Sequence, residues 1–277
     1  MKVAVAGLGL IGGSFYKASL KAGYETVGLH HSDGPGALAE ADLVAVCMPP
    51  AAIVPWIKAR AGDFKPGAIV FDICGVKAEI CREMAAFRAP AARFTFVGGH
   101  PMAGREVAGY ENSLADLFVG ASMIITPFAD TPAAAIARLK DYFASIGFAM
   151  TVVTTPARHD EMIAFTSQLC HVVSTAFARD ARVADAIGFS AGSYADMTRI
   201  ATQNADDWSA LYRGNKAALL EVLDGFIGRL SDFRDALADD DIAEMKRFID
   251  EGTAAKKAEL ARRKITIPRG DEPFRKG

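Results

Sequence analysis

The first dozen residues constrain this chain most. A short apolar run, Val3-Ala4-Val5-Ala6, passes directly into Gly7-Leu8-Gly9-Leu10-Ile11-Gly12, and Gly13-Ser14 carry the small residues into a helical stretch reaching about Ala22. Strand, glycine loop and helix in this order form a GxGxxG unit. Its first glycine makes a tight turn, its second lets backbone approach a pyrophosphate, and its third lets the helix pack close to the strand. The helix start adds unpaired N–H groups and a partial positive charge. The spacing predicts a dinucleotide-binding loop made of Gly7, Leu8, Gly9, Leu10, Ile11 and Gly12; the bland alternative is a tight turn in an ordinary α/β protein.

Further strands are expected at residues 25–29, 42–47, 68–72, 94–97, 123–126 and 149–153, with helical stretches between them. Runs that are apolar throughout belong to a parallel sheet covered on both faces. After Thr155-Pro156 the texture changes, and residues 157–182, 183–201, 208–237 and 242–263 all carry helical periodicity. The expected fold is an α/β Rossmann-type doubly wound parallel sheet over residues 1–156, followed by an all-α helical domain over 157–277. Residues 262–277, with several charges and two prolines, read as a frayed or partner-embracing tail.

Composition narrows the function classes. Thirty-one basic and 33 acidic residues leave a net charge of −2, so no general attraction to nucleic acid or an anionic membrane is expected. Cys47, Cys74, Cys81 and Cys170 form no CxxC pair and read as reduced, buried thiols. The apolar start is too short for a signal peptide or a membrane span, which predicts a soluble, cytoplasmic protein.

The second strand ends Gly28-Leu29-His30-His31-Ser32, where an NAD-binding protein usually places an acid for the ribose 2′-hydroxyl. The nearest carboxylate is Asp33, beyond that position. His30, His31 and Ser32 can donate to a 2′-phosphate, so the loop favours NADP over NAD; solvent-exposed histidines are the alternative. Met48 and Pro49, after the third strand, complete the candidate cofactor set.

Four further segments carry chemistry. Gly98-Gly99-His100-Pro101-Met102-Ala103-Gly104 and Asp72-Ile73-Cys74-Gly75-Val76-Lys77 follow strands, at the end of an open sheet where ligands bind. Ser167-Gln168-Leu169-Cys170-His171 lies in the first helix of the second half, and Asp196-Met197-Thr198-Arg199-Ile200-Ala201 precedes Trp208. Together, and in this order, they resemble the prephenate/arogenate dehydrogenase family of tyrosine biosynthesis, over residues 2 to about 255. GGHPxAG matches at 98–104, SQLPH at 167–171 with Cys170 replacing proline, and DxTRIA at 196–201.

The resemblance implies oxidative decarboxylation of prephenate or arogenate with NAD(P). The ring carbon bearing the hydroxyl loses hydride, and the ring then loses its carboxylate as carbon dioxide and becomes aromatic. It implies that His100 accepts the hydroxyl proton, that Arg199 holds the ring carboxylate, and that His171 and Trp208 line the side-chain end of the pocket. It also implies a homodimer formed by the helical half, whose Ala, Leu, Ile and Phe content exceeds what one small core needs. Two departures stand out. The family commonly has serine where this chain has Gly75, and Arg105 replaces a residue that is often small or hydroxylated; Arg105 contacts a substrate carboxylate or cofactor phosphate, or points to solvent. Histidine at 171 and Arg105 lean toward prephenate, the more anionic substrate. The competing readings are another two-domain dehydrogenase, of β-hydroxyacid or imine type, and a non-catalytic NAD(P)-binding sensor.

Overall fold

The computed structural model describes residues 1–29, 35–87, 93–105 and 107–266. Seven strands form one sheet: β1 (Lys2–Ala6), β2 (Glu25–Leu29), β3 (Leu43–Val46), β4 (Ile69–Asp72), β5 (Thr95–Pro101), β6 (Ser122–Thr126) and β7 (Met150–Val153). The helices of this half are α1 (Leu10–Lys21), α2 (Pro50–Ala59), α3 (Ala78–Phe87) and α4 (Ala133–Ser145). The strand order is β2-β1-β3-β4-β5-β6-β7, so the chain turns outward from β1 to β2 and returns to β3 on the other side. That reversal makes the gap between β1 and β3 a topological switch point, where an open sheet binds its ligand.

Alternation along β1 supplies both cores. Val3 and Val5 join Phe15 and Ala18 of α1 and Leu139, Tyr142 and Phe143 of α4 on one face. Ala4 and Ala6 join Ile53 and Ile57 of α2 and Ile80 and Met84 of α3 on the other. Phe71 links the aromatic side, edge-on to Phe143 at 5.3 Å between ring centroids.

The sheet is not wholly parallel as expected. β5 pairs antiparallel with β6, with His100 opposite Ile124, while β6 and β7 are parallel to each other. Among the described residues of 102–121 the only helical element is a three-residue 3-10 turn, Tyr110–Asn112, and no α-helix is present to carry a parallel crossover. β5 also runs on through Gly98-Gly99-His100, so the histidine sits on a strand and not in the loop after it.

The helical half is more broken than its periodicity suggests. α5 (Pro156–Ile163) starts where Thr155 Oγ1 accepts from Arg158 N and passes through a π turn, Ala164–Gln168, into α6 (Leu169–Ala178). Only α7 (Gly192–Thr198) and a short 3-10 turn occupy residues 183–201, and α8 (Ala205–Gly214) breaks at Asn215 before α9 (Lys216–Ala238) and α10 (Ile242–Thr266). Contacts divide the chain into two compact units, Met1–Lys216 and Ala217–Gly277. Although β7 ends at Val153, α5 to α8 belong to the first unit. In the second unit Phe233 meets Phe248 at 5.1 Å, and Leu220, Ile227, Leu230, Leu237, Ile242 and Ile249 remain exposed. Among the described residues no helix is long and apolar enough to cross a membrane.

Candidate active site

The glycine loop is locked at the switch point. Gly7 N donates to Leu29 O at 3.0 Å, and Cys47 N donates to Ala6 O at 2.7 Å. Gly7 has φ +93°, and a β-carbon there would stand 2.2 Å from Cys47 O; one on Gly12 would stand 1.9 Å from Gly7 O. Gly9 differs: a β-carbon there would meet nothing within 4 Å. It is also the N-cap of α1, with no side chain capping the helix. The helix start therefore opens on a cradle that backbone lines and no side chain fills, which fits a pyrophosphate. Leu8 packs over Gly28 of β2, and Met48 and Pro49 lead from β3 into α2. His30, His31 and Ser32 lie outside the described residues.

Beside this loop is a cleft of about 470 Å3. It is lined by Leu10, Ile11, Gly75, His100 and Met102 to Arg105 from the sheet half and by Ser167, Gln168, His171, Trp208 and Leu211 from the helices that follow. The π turn at Ala164–Gln168 is the kind of helix irregularity found at functional sites, and it sets Ser167 and Gln168 in this wall. The His171 ring lies 3.8 Å from the Trp208 ring, its Nδ1 donating to Ile200 O at 3.2 Å. Arg105 is exposed and donates to Asn112 O at 3.3 Å while lining the cleft. Arg199, at the end of α7, is exposed and is not among the lining residues; its neighbour Ile200 holds His171.

His100 anchors a buried polar chain. Its Nδ1 stands 2.9 Å from Nε2 of His159, and Nδ1 of His159 stands 2.7 Å from Asp160 Oδ1. Asp160 also accepts from Lys77 N at 2.7 Å and Ala78 N at 2.8 Å, at the start of α3. Burial, and then the neighbouring His159 and Lys77, hold the His100 imidazole well below its ordinary pKa. The ring is therefore neutral near pH 7 and able to accept a proton. Lys77, completely buried, pairs with Asp72. Asp72 in turn accepts from Gly99 N at 3.0 Å and Cys74 N at 2.8 Å, tying the strand of His100 to the loop of Gly75.

Sequence reasoning missed His159 and Asp160. The available signal was a His-Asp pair in the opening turns of a helix that Thr155-Pro156 announces; its burial, at 2% and 4% exposure, is visible only in three dimensions. The thiol of Cys74 is buried as expected and pushed up to about 11 by burial, and Cys81 behaves alike. Cys170 is exposed, contrary to expectation, because it faces outward on α6 while His171 faces the cleft.

A dinucleotide cradle at the switch point of an α/β sheet, opening on a cleft that holds a neutral histidine, defines an NAD(P)-dependent dehydrogenase. The family model described as prephenate dehydrogenase, nucleotide-binding domain, matches residues 11–152, and the one described as prephenate dehydrogenase, dimerization domain, matches residues 155–251. A cyclohexadienyl dehydrogenase from Zymomonas mobilis is 32% identical over 266 residues, covering 86% of this chain and 89% of its own length. Among solved structures, Synechocystis arogenate dehydrogenase superposes with a TM-score of 0.80 at 24% identity, covering 94% of this chain and all of its own. Prephenate dehydrogenase from A. aeolicus, in complex with hydroxyphenyl propionate and NAD+, gives 0.77 at 23% identity, covering 94% and 98%. The chain belongs to the prephenate dehydrogenase family.

Proposed function

We propose that this enzyme converts prephenate, in preference to arogenate, to its aromatic product with loss of carbon dioxide. The observation that carries this reading is the position of His100, which stands in the wall of a cleft that Leu10 and Ile11 join to the glycine cradle. Nicotinamide, once bound there, supplies the hydride acceptor. His100 accepts the hydroxyl proton at Nε2 as the adjacent carbon becomes a carbonyl, and loss of the ring carboxylate as carbon dioxide then makes the ring aromatic. The flat faces of His171 and Trp208 suit the opposite end of the substrate. Arg105 is the guanidinium that lines the cleft, and Arg199, next to the carbonyl holding His171, is the second candidate carboxylate partner.

NADP is the proposed cofactor, on the strength of His30-His31-Ser32 in place of the usual acid. A homodimer is supported by the family description of residues 155–251 and by the exposed apolar side chains of α9 and α10. We place the functional boundary at residue 156, with 1–156 binding cofactor and 157–277 binding substrate and partner.

The test is reduced-nicotinamide absorbance with prephenate or arogenate against NAD or NADP. Turnover fastest with prephenate and NADP is the expected result. Cofactor binding without turnover in all four combinations would replace this reading with that of a binding sensor.

A further inference from the structure

We propose that His159 and Asp160 are positioning residues that decide which ring nitrogen of His100 carries the proton, and thereby make its Nε2 the base of the cleft. The catalytic half of this inference rests on the function proposed above, whereas the wiring itself is a property of the resting protein.

A line of hydrogen bonds runs from the start of α3 to His100. Asp160 accepts main-chain N–H groups on both oxygens, from Lys77 on Oδ1 and from Ala78 on Oδ2. A carboxylate held this way offers no proton, so Nδ1 of His159, 2.7 Å from Oδ1, is the donor. A neutral imidazole has one donor and one acceptor, so Nε2 is the acceptor of His159 in the neutral form on which the proposal rests. Across 2.9 Å it takes the Nδ1 proton of His100. The remaining nitrogen of His100, Nε2, is left with its lone pair, on the side facing Gly75. The opposite tautomer of His100 would set two lone pairs against each other in a site where His159 is 2% exposed, leaving a buried polar atom unsatisfied.

The support is rigid. Asn215 Nδ2 donates to Asp160 O and to Gln168 Oε1, each at 2.8 Å, so the chain is held from α5, the π turn and the end of α8 at once. During turnover the substrate's O–H bond breaks, its proton forms a bond to His100 Nε2, and the resulting imidazolium keeps its Nδ1–H bond toward His159 and the Asp160 charge. Proton return to water restores the starting tautomer.

Two measurements test the wiring. In the cofactor-free protein, 15N NMR of the His100 ring should find the proton on Nδ1 and a bare Nε2, and Asp160→Asn, whose amide can donate to His159, should move that proton to Nε2. In turnover, Asp160→Asn should lower kcat by about 10^3-fold with KM little changed, as expected when a base is held in the wrong tautomer. His159→Phe should lower kcat by about 10^2-fold or more, while His159→Gln, whose carbonyl can accept from His100, should stay within about tenfold of the parent. Should Asp160→Asn fail to fold, the two His159 variants decide. A parent spectrum with the proton on Nε2, or a folded His159→Phe with unchanged kcat, overturns the proposal. A parent protein with no turnover would overturn the proposed function instead, and the NMR result would still decide the wiring.

Discussion

Gly75 faces the His100 ring: a β-carbon built on it would stand 3.8 Å from Nε2 and 3.5 Å from Leu211 Cδ2. Both are ordinary van der Waals separations, so a small side chain fits there. Gly75→Ser is expected to fold normally and to raise kcat by about tenfold, because its hydroxyl adds a donor beside the oxygen that the proposed mechanism sets against His100. Steady-state rates of the purified variant, with a melting curve as control, check this. A slower Gly75→Ser enzyme would show that the chain has rebuilt its site around the glycine.

Replacing His100 with alanine removes the proposed base. The expected loss in kcat is about 10^2- to 10^4-fold, with cofactor affinity preserved because the glycine loop is untouched. Equilibrium cofactor binding and single-turnover rates separate these two effects.

The pH profile follows from the same ring. Burial, His159 and Lys77 lower the His100 pKa, with the carboxylates of Asp72 and Asp160 among the surrounding charged groups. The neutral form that the proposed mechanism requires therefore persists below the ordinary value of 6.5, and activity is expected to fall only as pH drops through the lowered pKa. The acid limb of kcat/KM for the free enzyme should lie below pH 6.5 and disappear from the residual activity of His100→Ala. A limb well above 6.5 in the parent would contradict the neutral-base assignment.

The glycine loop permits a contrast between two alanines. Gly12→Ala places a methyl group 1.9 Å from Gly7 O and should destabilise the protein and abolish cofactor binding. Gly9→Ala meets no protein atom within 4 Å and has a compatible φ of −87°, so the fold should be unaffected. A loss of cofactor affinity of about tenfold or more in Gly9→Ala, at unchanged melting temperature, would locate the bound phosphates at that position.

Lys77 and Asp72 form a fully buried ion pair. Lys77→Met leaves the Asp72 charge uncompensated and should cost about 3–5 kcal/mol in denaturant unfolding. Adding Asp72→Asn to Lys77→Met should recover part of that loss, since the remaining group is then uncharged.

Much of this was legible in one dimension. All seven strands lie within a residue or two of the apolar runs that announce them, apart from the extension of β5, because a buried parallel strand needs an unbroken apolar segment and little else. The glycine loop was equally readable, since each glycine answers a backbone constraint set by its immediate neighbours. His100 stood out as a histidine among glycines and a proline, His171 and Trp208 through the family segments that hold or precede them, and all three line one cleft.

The residues that escaped notice owe their meaning to partners far away in the chain. His159 and Asp160 look like ordinary polar residues near a helix start until the fold brings the start of α3, 82 to 83 positions earlier, within hydrogen-bond range. The direction of β6 was likewise unreadable, because apolar content does not record strand polarity, and Arg199 was singled out by its motif although it lies outside the cleft lining. Local backbone demands and burial patterns leave their mark on the chain itself, and these determined the sheet, its glycine loop and the histidine that we propose as the base. The proposed tautomer of His100 depends on hydrogen bonds between distant segments, and only the tertiary structure brings those segments together.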